Sequence, residues 1–291
     1  MAKAAWIGMG NMGTPMAINL AKAGHSVCVY DRDLSRCDSA VAEGCVKAAN
    51  VADAAKGADF VFTMLTDSSA LTSVILGEGG VCSVMSAGQI VVDCSTVSIE
   101  ASADCNSAIT AKGGEFLRCP VSGSTVLAKA GTLTTLCSGP KATYDKALPL
   151  FEKLSAKQFY LGDGDGARAM KLGLNMMIAT SLQMLAESLT LCEKAGIEWE
   201  TALDVIGGSV LASPLIAYKI PPIKERKYDP AFSTRLMAKD LDLALSVGKQ
   251  LGVCAPTTAI TKQMLEANIA KGHAETDFSY LIPLIEELSG L

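Results

Sequence analysis

Two sets of residues in this chain have types and spacings that can do chemistry. The first is Gly8-Met9-Gly10-Asn11-Met12-Gly13, which follows the apolar run Ala4-Ala5-Trp6-Ile7 and opens a helical stretch from Thr14 to Gly24. A strand that passes through Gly-x-Gly-x-x-Gly into a helix suits a dinucleotide pyrophosphate. Gly8 permits the tight turn, Gly10 lets the backbone approach the phosphates, and Gly13 lets the helix pack close to the sheet, with helix N–H groups facing the anion. Glycine-rich strand exits also occur as plain turns, so it is the surrounding order of elements that predicts a nicotinamide or flavin nucleotide, with Asn11 and Met12 in its loop. The second set is Lys171 and Asn175, one turn apart on one face of a long helical stretch. A lysine desolvated in an apolar cleft has its pKa lowered towards about 7 to 8, where it exchanges a proton with a substrate hydroxyl; Asn175 would hold that hydroxyl or a carboxylate. An ordinary helix lysine with its head in solvent fits the same spacing.

The next apolar run, Ser26 to Tyr30, ends in Asp31-Arg32-Asp33, and Asp31 lies 18 residues beyond Gly13. That is near the offset of about 20 at which a carboxylate accepts hydrogen bonds from the adenosine ribose. An acid there favours NAD and repels the 2′-phosphate of NADP, whereas Arg32 pulls the other way, since a guanidinium pairs with that phosphate. The balance points to NAD, with NADP left open. Two further segments offer anion-binding turns. Cys119-Pro120-Val121-Ser122-Gly123-Ser124 follows a strand and presents successive N–H groups and hydroxyls, suited to a carboxylate. Asp93-Cys94-Ser95-Thr96 ends another strand, which puts Thr96 at the carboxyl edge of a sheet, where ligands bind in such folds. Either, taken singly, also fits a structural turn.

Other proton-exchange chemistry has little support. No tyrosine has a lysine four residues on, so the Tyr-x-x-x-Lys pair of short-chain dehydrogenases is absent. His25 sits in a helix-to-strand turn and His273 in a glycine-containing loop, and both read as exposed loop residues. With two histidines and no Cys-x-x-Cys pair or Cys/His cluster among ten cysteines, no metal site is expected. Most of the cysteines fall in apolar segments and read as reduced core thiols of a cytoplasmic protein.

The elements that must position these residues follow from pattern. The 291 residues allow about two domains, and 49% hydrophobic with 19% charged residues describes a globular, core-rich chain. A formal charge of −5 argues against a nucleic-acid surface, and no apolar run approaches the length of a membrane span or signal peptide. Apolar runs at Ser26 to Tyr30, Asp59 to Leu65, Gln89 to Cys94, Glu115 to Cys119, Leu133 to Ser138 and Gln158 to Leu161 alternate with helical stretches. This predicts a doubly wound α/β domain over residues 1–162 around a mostly parallel sheet. After the turn-rich Gly162 to Gly166, Ala167 to Ala195 reads as one linking helix of 29 residues, roughly 44 Å long. An all-α domain completes residues 163–291, with breaks at Gly207-Gly208, Pro214, Pro221-Pro222 and Pro230. The long apolar helix suggests subunit contacts, hence a homodimer or homotetramer.

Four segments together resemble the β-hydroxyacid dehydrogenases: Gly8 to Gly13, Pro120 to Gly123 with Gly131-Thr132-Leu133 after it, Gly166 to Asn175, and Leu236-Met237-Ala238-Lys239-Asp240-Leu241. The group includes 3-hydroxyisobutyrate dehydrogenase, tartronate semialdehyde reductase and the plant glyoxylate/succinic semialdehyde reductases. The resemblance spans the chain in order. It implies a Rossmann-like N-terminal domain and an α-helical C-terminal domain. Lys171 would be the general acid/base, Ser122 and Gly123 would hold the substrate carboxylate, and Asn175 would orient the substrate. Thr96 and Lys239 would sit by the nicotinamide, and Met64 and Leu65 would line the adenosine and ribose side.

The chain departs from the family at Arg118, where an acidic residue is usual, and at Cys119 and Ser124. It departs also at Leu174, where 3-hydroxyisobutyrate dehydrogenase has an asparagine, and at Arg235, a candidate for a second anionic group or a surface arginine. The expected activity is interconversion of a small 3-hydroxy acid and its semialdehyde with NAD(P). An NADPH-dependent glyoxylate/succinic semialdehyde reductase is the second enzyme reading, and a catalytically inactive nucleotide-binding scaffold the third. Retention of Lys171 with Asn175 counts against the scaffold and against imine reductases, which replace the lysine.

Overall fold

Four consecutive apolar residues, Ala4 to Ile7, are all buried, which a strand allows only when both faces of its sheet are covered. The computed structural model describes residues 1–291 and divides into two compact units, Met1–Lys171 and Leu172–Leu291.

The first unit begins β1 (Lys3–Ile7), α1 (Gly13–Lys22), β2 (Ser26–Tyr30), α2 (Asp38–Ala42), β3 (Val46–Lys47), α3 (Val51–Ala55), β4 (Phe60–Thr63) and α4 (Ser68–Leu76). It continues α5 (Val81–Val84), β5 (Ile90–Asp93), α6 (Ile99–Ala111) and β6 (Glu115–Arg118). These six strands form one sheet in the order β3-β2-β1-β4-β5-β6, every pair parallel. The chain winds outward from β1 to β3, then returns to the other side of β1 at β4. The carboxyl ends of β1 and β4 therefore flank the switch point where such sheets bind ligands. On one face Trp6 stacks on Phe62, with centroids 4.9 Å apart, in a cluster with Met16 and Leu20 of α1. On the other, Val61 and Val91 pack with Leu71, Ile75 and Ile109.

The later strands correct the expectation of one continuous sheet. β7 (Val121–Ser122), α7 (Thr125–Ala130), β8 (Leu133–Cys137), α8 (Lys141–Leu154) and β9 (Ser155–Tyr160) follow, and the three strands form a separate sheet. Within it β7 pairs antiparallel with β8, and β8 parallel with β9. The Cys119 N–H still bonds to the Asp93 carbonyl, but Pro120 has no N–H with which to extend that ladder. The chain turns there, and Arg118 at the end of β6 makes an isolated antiparallel bridge to Ser138, just beyond β8.

Helix α9 (Gly166–Lys194) starts in the first unit and runs into the second. Next come α10 (Trp199–Gly207), α11 (Pro214–Lys224), α12 (Thr234–Leu251), α13 (Pro256–Ala270) and α14 (Leu281–Leu288). Leu182, Leu185 and Leu189 of α9 share a core with Leu203, Met237, Leu241, Leu265 and Leu281. Ser213 and Ser233 cap α11 and α12 by accepting from N–H groups three residues on. The break expected at Pro221-Pro222 falls slightly later: both prolines lie in the last turn of α11, which ends at Lys224, and Lys219 just before them makes a buried ion pair to Asp277 at 2.6 Å. No helix is long and apolar enough to cross a membrane.

Candidate active site

The glycine fingerprint is built by packing. A Cβ on Gly13 would lie 2.0 Å from the Gly8 carbonyl oxygen and 2.8 Å from Trp6 Nε1. Gly8 has φ of +102°, and a Cβ there would meet the Met64 carbonyl at 2.3 Å. Only glycine lets α1 start this close to the end of β1. A Cβ on Gly10, by contrast, meets nothing within 4 Å, so that position faces open room of the kind a pyrophosphate needs. Met12 heads α1 without a side-chain cap, and Asn11 is exposed beside it. The residues present thus fit a dinucleotide.

Ladder bonds fix the rest of the carboxyl edge. The Gly8 N–H bonds to the Tyr30 carbonyl, Met64 to Ile7, Cys94 to Thr63 and Cys119 to Asp93, so the ends of β2, β1, β4, β5 and β6 are in step. This brings Asp31, Gly8, Met64, Leu65, Thr96 and the Pro120 turn to one rim. Asp31 accepts from the Met9 N–H at 2.8 Å and from the Asp33 N–H at 3.0 Å, tying the acid to the fingerprint loop. Arg32 is exposed. Ser122 lies on β7 opposite Thr134, and Gly123, at φ +138°, could carry no Cβ without reaching Leu133 at 2.7 Å.

A polar network lies beneath that rim. Asp93, fully buried at the end of β5, receives the Thr63 hydroxyl at 2.8 Å and the Arg168 guanidinium at 2.7 Å. The Ser95 hydroxyl accepts from the Leu65 N–H at 2.8 Å, and Arg168 also reaches the Ser95 carbonyl at 3.3 Å. Arg168 is one turn before Lys171 on α9, and Lys171 itself is half-buried. Arg118, also buried, pairs with Asp165 at 2.7 Å, out of line for a hydrogen bond, with its guanidinium over Phe116. The Ala167 N–H donates to Ser138 Oγ at 2.8 Å. Burial holds the Cys94 and Cys119 thiols far above their ordinary pKa, so neither is a nucleophile here.

In the second unit, Asn175 is buried and donates its amide to Asp240 at 2.5 Å, while Lys239 pairs with the other oxygen of Asp240 at 2.9 Å. Asp240 thereby holds two residues singled out by sequence. Arg235 is exposed and paired with Glu275 at 2.8 Å, as a surface arginine is. His25 accepts from the Ala2 N–H and His273 stacks on Tyr280; neither is part of these networks. No group of three or more His, Cys, Asp or Glu side chains is placed to hold a metal ion.

Sequence reasoning missed Arg168, the pairing role of Asp93, and Asp240. A signal existed for Asp93: a carboxylate ending the wholly apolar run Ile90 to Val92 must be buried, and a buried carboxylate requires a cation or several donors.

The same arrangement of elements occurs in known proteins. The NAD-binding domain of 6-phosphogluconate dehydrogenase matches residues 3–162 as a family profile, and the NAD-binding region of NADP-dependent 3-hydroxyisobutyrate dehydrogenase matches residues 164–285. Glyoxylate/succinic semialdehyde reductase 1 of Arabidopsis thaliana is 36% identical over 97% of both chains. The chain belongs to the β-hydroxyacid dehydrogenase family. The enzyme is also 33% identical to 2-(hydroxymethyl)glutarate dehydrogenase of Eubacterium barkeri, over 99% of this chain and 96% of that one. The structure of Mycobacterium tuberculosis 3-hydroxyisobutyrate dehydrogenase with L-serine superimposes with a TM-score of 0.86 at 30% identity, covering 97% of this chain and 98% of that one. The enzyme is accordingly an NAD(P)-dependent oxidoreductase, with the Rossmann-like and helical architecture the sequence implied.

Proposed function

We propose that this enzyme interconverts a small carboxylate-bearing aldehyde and the corresponding hydroxy acid, with Lys171 exchanging the proton. The observation that carries this is the placement of Lys171: half-buried, one turn after an arginine anchored at the carboxyl edge that also bears the glycine fingerprint. NAD(P)H, when bound, supplies the hydride that reduces the aldehyde carbon. Lys171 as the ammonium donates a proton to the carbonyl oxygen, and the neutral amine is then reprotonated from solvent. In the oxidising direction the amine takes the hydroxyl proton instead. The Ser122 hydroxyl and the Gly123 N–H hold the substrate carboxylate, and Asn175, fixed by Asp240, orients the substrate. Thr96 and Lys239 flank the nicotinamide, and Met64 and Leu65 the adenosine ribose.

Two substrate readings remain within this reaction. A short 3-hydroxy acid and its semialdehyde is the first. Reduction of glyoxylate or succinic semialdehyde is the second, favoured by the 36% identity to the plant reductase. A panel of glyoxylate, succinic semialdehyde and tartronate semialdehyde with NADH and NADPH tests both. Turnover of at least one aldehyde is expected; dinucleotide binding with no turnover of any carboxylate-bearing aldehyde favours the inactive scaffold.

For the cofactor, the tie between Asp31 and the fingerprint loop supports NAD, since a carboxylate beside that loop suits the ribose hydroxyls and repels a 2′-phosphate. Asp31→Asn keeps an acceptor for Met9 but removes the charge. It is expected to raise the Kd for NADH about tenfold more than that for NADPH, a difference of about 1.4 kcal/mol. Equal changes measured by nucleotide fluorescence would remove Asp31 as the discriminator. A homodimer or homotetramer and a cytoplasmic location complete the proposal. Met177, Met184 and Leu191, seven residues apart on α9 and each more than half exposed, support self-association. Ten free cysteines support a reducing compartment.

A further inference from the structure

We propose that the buried Arg168–Asp93 pair is a positioning device that fixes the rotation and register of the first turn of α9, and through it Lys171, against the strand ends carrying Leu65 and Thr96. The proposal rests on Lys171 being the proton exchanger.

The connection into α9 is Gly162-Asp163-Gly164-Asp165-Gly166, three glycines in five residues, a stretch with little conformational preference of its own. Such a connection defines the rotation of a helix about its axis only weakly. Side-chain anchors supply the rest, and each comes from a different strand end. Asp93 at the end of β5 takes Arg168, Arg118 at the end of β6 takes Asp165, and Ser138 beyond β8 takes the Ala167 N–H. The first differs from the others in being an ion pair with both partners buried, at 2% and 0% exposure, on the helix face that Lys171 shares, three residues before it.

Its stability value is a weak reason for such a pair, because apolar side chains of similar volume usually serve at least as well. Its geometry is specific. One guanidinium nitrogen donates to Asp93 and a second to the Ser95 carbonyl, and the carboxylate is itself held by Thr63 and by the Ser95 N–H, at 2.8 and 3.1 Å. Ser95 passes the constraint on. Its hydroxyl fixes the Leu65 N–H, its carbonyl receives Arg168, and Thr96 is the next residue. One network therefore ties the helix bearing the proton donor to two segments proposed to line the nucleotide.

The test uses the full-length enzyme and three variants: Arg168→Met with Asp93→Asn, Arg168→Lys, and Lys171→Ala. Turnover of the best aldehyde is expressed per titrated dinucleotide site, beside dinucleotide Kd and thermal unfolding. Removal of both charges is expected to leave a folded protein that binds dinucleotide within about threefold of the parent, while turnover per site falls about 10- to 100-fold, as for a reacting group displaced by about 1 Å. Arg168→Lys, which keeps the charge but loses the second arm of the fork, recovers part of that loss.

Unchanged turnover per site in the double variant overturns the proposal and assigns the pair to packing alone. A lower total rate that vanishes when expressed per site does the same. If the double variant does not fold, Arg168→Lys decides: a fall of about fivefold or more at native dinucleotide affinity supports positioning, and native turnover overturns it. Lys171→Ala separates the two claims. Loss of turnover there with none in the double variant defeats only the positioning role, whereas turnover retained in Lys171→Ala defeats the assignment of Lys171 itself.

Discussion

Lys171→Ala is expected to lower kcat by about 10³-fold, within the range contributed by a positioned general acid. Dinucleotide affinity should stay within about twofold, since the groups that build the fingerprint lie at Gly8 to Gly13 and Asp31, on β1, α1 and β2. Lys171 is half-buried on the solvent-reaching part of α9, so shortening it leaves a small space that water can fill rather than a core void. The folded state should therefore survive, and the loss should appear in kcat rather than in the fraction of enzyme that binds NAD(P)H. Stopped-flow reduction with a saturating aldehyde checks this. A tenfold or larger loss of dinucleotide affinity would instead make Lys171 part of the nucleotide site.

The second large effect is expected at the fingerprint, and it separates two glycines that look equivalent in sequence. Gly13→Ala puts a methyl group 2.0 Å from the Gly8 carbonyl oxygen, a backbone atom that can move only if the loop moves. Overpacking of this kind costs about 1–3 kcal/mol and lowers the unfolding temperature of a protein this size by about 3–10 °C. Binding should be lost with it, because the displaced loop is the one proposed to cradle the phosphates. Gly10→Ala meets open room and should leave unfolding unchanged. Its methyl group instead occupies the space into which a phosphate would come, so the Kd for NAD(P)H should rise about tenfold or more. Calorimetry and nucleotide titration on both variants check the pair. Native affinity in Gly10→Ala would mean that the pyrophosphate does not approach this turn.

Much of the first unit was legible because strand and helix periods are local. The run Ala4 to Ile7 and the glycines after it leave few alternatives to a buried parallel strand entering a helix. The glycine-bounded span from Gly166 to Gly196 likewise has a single interruption, at Gly173, and forms one helix, α9. The separate sheet was not legible. Leu133 to Cys137 has the composition of any buried strand, whereas Ser155 to Tyr160 is polar and largely unburied, and the pairing of both depends on a turn at Pro120 and on the long-range bridge between Arg118 and Ser138. At Pro221-Pro222 only the position of the break was misjudged. Two prolines usually end a helix, and here α11 does end two residues after them, at Lys224.

Of the site, the atoms that touch nucleotide in such folds were visible as motifs, whereas the groups that hold them were not. Arg168, Asp93 and Asp240 act through partners 75 and 65 residues away, and no spacing rule reaches that far. Arg118, noted as a departure from the family, finds its explanation in Asp165, a second charge near the start of α9 that a reading of either residue alone does not reveal.

Hydride transfer to a carboxylate-bearing aldehyde is the central claim, and label transfer tests it most directly. The enzyme is given NADH or NADPH deuterated at both nicotinamide C4 positions, together with succinic semialdehyde, glyoxylate or tartronate semialdehyde, and the product is weighed by mass spectrometry. A hydroxy acid carrying one deuterium on the former aldehyde carbon is the expected result. Unlabelled product, or bound dinucleotide with no product from any of the three, would contradict it.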